Sequence, residues 1–237
     1  MAFFDDLVNE IAATRQPSGE VWFRGQADAS WALVPRLLRS GISREQEKNM
    51  LTRFRYRAMG MLEYPPADND PARWLFLMQH HGLPTRLLDW SESALAAVFF
   101  AVADKPDTDG CLYILVPMAL NEQKVKQRVL LAPTSSPCSE IMWASFKGSK
   151  MPPKIVAIST YASNDRLARQ RGTFTVHGIT DDLCNIVASN VLRSIVIPST
   201  LKRGLLEALA HLGITRTSLF HDLDALAWEM REQYDIS

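Results

Sequence analysis

The chain has 237 residues, 47% of them hydrophobic, and its 26 Lys and Arg balance its 26 Asp and Glu. This suits a globular chain with a sizeable core and lacks the positive charge of a general nucleic-acid binder. No strong non-specific nucleic-acid binding is therefore expected, although Arg53, Arg55 and Arg57 crowd one segment. Cys111, Cys138 and Cys184 form no CxxC pair, which argues against a disulfide framework or a metal site and fits a reducing cytoplasm. The first residues carry acids where a signal peptide needs a basic region, and no apolar stretch approaches the roughly 20 residues of a membrane span. The expectation is a cytoplasmic protein with no membrane partner.

In chain order, Phe3, Phe4, Leu7, Val8 and Ile11 predict an amphipathic helix over residues 3–14. A strand follows at Val21–Phe23. Ser43 and Gln46 have the spacing of a capping box that opens a long helix to about Met61. After the turn-rich stretch 65–71, a helix through Trp74–Gln79 is stopped by Gly82 and Pro84. Ser91 or Ser93 caps the next helix, whose apolar residues cover nearly every face and place it centrally. Strands are expected at 110–116, 154–159, 172–176 and 193–197, with proline-rich loop over 132–153. A helix from Pro198 closed by Gly213 and a last one over 222–233 complete the chain. Helices gather before residue 105 and strands recur after 110. The fold class expected is α+β: a single domain over 1–237, densest in motifs at 20–225, with a mixed sheet core and an N-terminal helical portion.

Two polar clusters stand against this apolar background. Val21–Gln26 would deliver Arg24 at a strand end, where Gly25 lets the backbone turn, and Gln79–Trp90 concentrates His80, His81, Thr85, Arg86 and Asp89. Such groups are costly to bury unpaired, so they are networked inside the fold or they line a site. Both readings stand for Arg24, which pairs with Asp89 as a structural ion pair or binds ligand. Arg86 anchors a loop through carbonyls or touches ligand. Adjacent His80 and His81 diverge on a regular element and do not share a metal. Gln170 with Gly172 either pins a strand turn or faces a pocket. Trp22, Trp31, Trp74 and Trp90 are core, or stack on a base.

Phe23-Arg24-Gly25, followed by Gln26, Trp31 and Pro35–Arg39, resembles the opening motif of the FRG domain, a bacterial family. Gln79–Trp90, running into Ala94–Ala103, is similar to the family's second signature, and Arg166–Thr175 to a third. The closing residues 212–214 and 218–224 are also like the family. A further resemblance is to ADP-ribosyltransferase-like folds: aromatic-Arg-Gly, then Ser91 before a helix with Phe99 and Phe100, then Gln170-x-Gly172-x-Phe174. It implies NAD as substrate and a role as an effector in toxin or phage-defence systems, with a macromolecular acceptor or protein partner. It further implies a catalytic set of Arg24, Asp89 and Gln170, and a nucleotide site of Arg24, Gly25, Gln26, His80, His81, Thr85, Arg86 and Ser91. Gln170 stands where such transferases usually present a Glu, and a neutral amide cannot stabilise a ribosyl cation as a carboxylate does. Asp89, Glu92 and Asp222 are the alternative carboxylates. The competing expectation is a non-catalytic ligand- or protein-binding module in which the Arg/His/Asp cluster is structural.

Overall fold

A computed structural model describes residues 2–14, 20–159, 173–220 and 223–234. Gln170 and Asp222, with most of the third signature, lie outside the described residues. The first half runs α1 (Ala2–Thr14), β1 (Trp22–Gln26), α2 (Arg36–Arg39), α3 (Arg44–Ala58), α4 (Pro71–His80), β2 (Leu87–Trp90) and α5 (Ala94–Val102). It continues through β3 (Gly110–Leu115), α6 (Pro117–Val125), α7 (Ser136–Lys147), β4 (Ile155–Ser159) and β5 (Thr173–His177). The last elements are α8 (Leu183–Ile186), β6 (Leu192–Ile197), α9 (Ser199–His211), α10 (Arg216–Phe220) and α11 (Leu223–Gln233). The class is α+β.

The strands form two three-stranded sheets, in the orders β1-β3-β6 and β2-β5-β4, with every named pair antiparallel. The parallel contact among the described residues is the isolated bridge between Leu131 and Ile158. Alternation along the strands decides the layers. Trp22, Cys111, Tyr113 and Leu115 of the first sheet share a cluster with Leu88, Trp90, Ile155 and Ala157 of the second, so these faces pack together. Phe23, Leu112, Ile114 and Ile197 on the reverse of the first sheet pack on α1, α5 and α9 through Leu7, Val98 and Leu209. Leu87, Val156, Ile158 and Val176 on the reverse of the second pack on α3, α4 and α7 through Leu51, Trp74, Met78 and Ile141. The molecule is thus layered helix, sheet, sheet, helix.

The two sheets are stitched where β1 passes the end of β2. Phe23 and Ser91 exchange backbone hydrogen bonds of 2.7 Å in each direction. Ser93, not Ser91, caps α5 by accepting from the Ala96 amide, while the Ser91 hydroxyl accepts from the Ser93 amide. Gly25 lies inside β1, paired with Leu112, instead of turning the chain at its mouth. Its function is close approach: a Cβ there would overlap the Ala97 carbonyl and sit 2.6 Å from the Ala101 nitrogen. Ala97 and Ala101 lie one turn apart on α5, so small residues on both partners let helix and strand touch.

Three segments differ from the sequence expectation. Residues 136–147 of the supposed loop form α7, with a proline in its first turn, where a missing N–H costs nothing. Pro117 likewise ends β3 but opens α6. Leu87–Trp90, to which the sequence reading assigns no element, is β2, because Leu88 and Trp90 fill one face while Leu87 packs on the other.

Candidate functional site

Residues Trp22, Arg24 and Gln26 alternate onto the inner face of β1, and Trp22 and Gln26 are buried there. Arg24, between them, reaches the seam between the sheets. Its Nη1 donates to the Asp89 backbone carbonyl at 2.7 Å, so the main chain of β2, and not the carboxylate, takes this bond. Its Nε is buried and has no partner among the described residues. Burial lowers the Arg24 pKa; the Asp89 charge opposes that shift and Arg39 adds to it.

Arg24 opens into a cavity of about 220 Å³ whose other cations are Arg36 and Arg39. Both project from α2, the short helix that Leu37 anchors in the core. Their i, i+3 spacing puts them on one side of it. Burial, then the neighbouring Arg36, lowers the Arg39 pKa. Gly82, Leu83 and Pro84, from the turn after α4, form one wall, and Leu87 and Leu88 of β2 another.

Asp89 and Gln79 complete the lining. Thr85 donates its hydroxyl to Gln79 Oε1 at 2.6 Å, and Gln79 Nε2 donates to Asp89 Oδ2 at 2.7 Å. The Thr85 bond fixes which end of the amide faces Asp89, so the chain Thr85–Gln79–Asp89 orients the carboxylate. Three guanidinium groups and one carboxylate in a small, partly desolvated space make a net cationic site. It is suited to an anion with several acceptor oxygens.

Not all of the expected site residues reach the cavity. Arg24 and Asp89 come together at the cavity, and Thr85 acts one bond behind it. Gly25 supports α5, and Gln26 is buried beside Ala27, so neither lines the cavity. His80 closes α4 and His81 follows it; their rings meet edge to face at 5.1 Å, and neither lines the cavity. Ser91 serves the seam between sheets. Arg86 is buried and does not line the cavity; its Nε and Nη2 bond to Glu47 Oε1 and Oε2 at 2.6 and 2.8 Å. Its Nη1 donates to the His177 carbonyl. This bidentate pair, joining α3 to the second sheet, is the buried ion pair of the fold among the described residues.

Arg36, Arg39 and Gln79 were missed as site residues by sequence reasoning, as was Glu47 as the partner of Arg86. The signals were present: the Arg-Leu-Leu-Arg spacing beside the Phe23-Arg24-Gly25 motif, and a Glu one turn before Leu51 on the buried side of α3. Among the described residues no three His, Cys, Asp or Glu gather as metal ligands, and no helix is long and apolar enough to cross a membrane.

Comparison with known proteins finds no match among curated proteins and none among solved structures. Residues 19–110 match the family model of the FRG domain. That span contains the first two signatures and every residue lining the cavity, from Arg24 to Asp89. Over these residues the chain is similar to the FRG domain.

Proposed function

We propose that the chain binds a phosphate-bearing nucleotide, with NAD as the leading candidate, through the cavity of Arg24, Arg36 and Arg39. The observation that carries this reading is the convergence of three arginines at one seam, with the Arg24 Nε buried and unpartnered. An unsatisfied guanidinium N–H is costly, and an acceptor oxygen in the cavity would relieve it. At about 220 Å³ the cavity is below the roughly 300–1,000 Å³ usual for drug-sized ligands. It suits a phosphate or phosphoribosyl portion, with the rest of a dinucleotide lying across the rim.

An ADP-ribosyltransferase-like activity is the extension of this reading, in the setting of a toxin or phage-defence effector. Asp89 is then the carboxylate that faces the electron-poor ribose carbon as nicotinamide leaves, and Gln79 and Thr85 orient it. Incubation with NAD tests both levels. Binding by calorimetry that Arg39→Ala weakens about tenfold or more supports the nucleotide site, since charge-assisted bonds contribute about 1.5–3 kcal/mol each. Nicotinamide release that Asp89→Asn abolishes supports transfer. Binding without release supports the non-catalytic module, which the excess of arginines over carboxylates in the cavity favours. The absence of both binding and release would remove the proposal.

A further inference from the structure

The cavity leaves one concentration of charge unexplained. The buried side of α3 carries Glu47, Leu51 and Ala58, and its opposite side exposes Arg53, Tyr56 and Arg57. Arg53 lies one helical turn before both Tyr56 and Arg57, so the three share the solvent side of α3. Tyr56 is 66% exposed, and neither Arg53 nor Arg57 has an ion-pair partner among the described residues. Arg55 is braced differently: its guanidinium carbon lies 5.6 Å from the Tyr56 ring and 5.9 Å from the Phe146 ring of α7, and Nη1 donates to the Asp68 carbonyl.

A second group of cations lies on the flank where α3 meets the end of α7. Lys48 lies against Gly148, which ends that helix at φ +66°, and Lys147 and Lys150 flank the same point, all exposed. Beyond α3 the chain exposes a second ring, Tyr64, at 85%. The exposed acids nearest in sequence are Glu45 at the start of α3 and Glu63 in the turn. In a chain with zero net charge, this is a local excess of cations interleaved with exposed rings.

We propose that the outer face of α3, with the end of α7, binds single-stranded nucleic acid. Phosphates engage Arg53, Arg57 and Lys48, and unstacked bases lie on Tyr56 and Tyr64. The rings select the occupant. An acidic polypeptide would use the cations and leave the rings idle, and duplex keeps its base faces inside the stack, whereas a single strand offers both charge and π-faces. With few phosphate contacts, binding is modest and salt-sensitive, in keeping with the neutral chain.

The test is fluorescence anisotropy with labelled oligo(dT) and oligo(rU) of about 12 nucleotides, within the site sizes of single-strand binders. The full chain should bind either strand at low salt, with a log–log salt slope of about −2 for three phosphate contacts. Tyr56→Ala should weaken binding at least about fivefold, while Tyr56→Phe retains it, because the ring does the stacking. Arg53→Ala with Arg57→Ala should weaken it and flatten the slope. All these side chains are exposed, so the variants should melt with the parent, and Arg39→Ala, in the cavity, should bind the strand normally. Binding of neither strand, equal binding of duplex, or indifference to Tyr56→Ala would overturn the proposal. So would a poly-glutamate peptide binding as tightly as the oligonucleotides.

Discussion

Two arginines, Arg24 and Arg86, come from the two signatures and look interchangeable in sequence, yet burial separates their chemistry. Arg86 finds a bidentate carboxylate in Glu47 and becomes part of the scaffold. Arg24 finds only a carbonyl and keeps an N–H for something else. The difference predicts different phenotypes. Arg86→Leu leaves buried Glu47 with only its longer, 3.4 Å contact to Arg44 and should cost about 3 kcal/mol in urea unfolding, the low end for a broken buried pair. The folded fraction should still bind cavity ligand. An Arg86→Leu protein as stable as its parent but unable to bind would place Arg86 at the site instead. Sequence alone could not assign these roles, because Glu47 is 39 positions from Arg86 and no local pattern links them.

Elements whose determinants are local were legible. The Ser43–Gln46 capping box forms as expected, with the Gln46 amide donating to the Ser43 hydroxyl at 3.2 Å and the Ser43 amide to the Gln46 side chain at 2.7 Å. The strand centres at 110–115, 155–159, 173–177 and 192–197 match their β-branched runs. Elements that depend on tertiary packing were not legible. α7 is held by Cys138, Ile141, Met142 and Phe146 in the core, which outweighs a proline-rich flank, and β2 is only four residues long. Gly25 belongs to this second kind, for its meaning lies in α5 and not in the local turn. Gly25→Ala should destabilise by about 1–3 kcal/mol or more, as overpacking between β1 and α5, and should lower the melting temperature without a surface change. A neutral effect would mean that α5 can move away from the sheet.

At the scale of the molecule, the two sheets enclose a polar strip within an apolar interior. His177 is fully buried, its Nε2 lies 2.8 Å from the Thr175 hydroxyl, and that hydroxyl also accepts from Trp90 Nε1. Burial first, then the charges of Arg24 and Arg86, press the His177 pKa from 6.5 down to about 3. The unfolded chain therefore binds this proton at a higher pH than the folded one. His177 contributes stability that is full above pH 6.5 and is lost as pH falls toward about 3. Urea midpoints should fall across that window, and His177→Gln should flatten the profile there. An unchanged profile would mean that His177 does not titrate with unfolding. The α+β class and the Phe23-Arg24-Gly25 motif could be read from the chain. The seam that gives Arg24 its neighbours could not, because α2, the turn after α4 and β2 meet there only through the layering of two sheets.

We propose the cavity of Arg24, Arg36, Arg39 and Asp89 as a nucleotide-phosphate site. Calorimetric titration of the full chain with NAD, in parallel with Arg36→Ala and Arg39→Ala, tests it most directly. Both substitutions change side chains of a short peripheral helix, so the variants should fold. The account predicts saturable binding by the parent and at least about tenfold weaker binding by each variant, matching the loss of a charge-assisted bond. Binding that ignores both substitutions, or no binding by the parent, would contradict it.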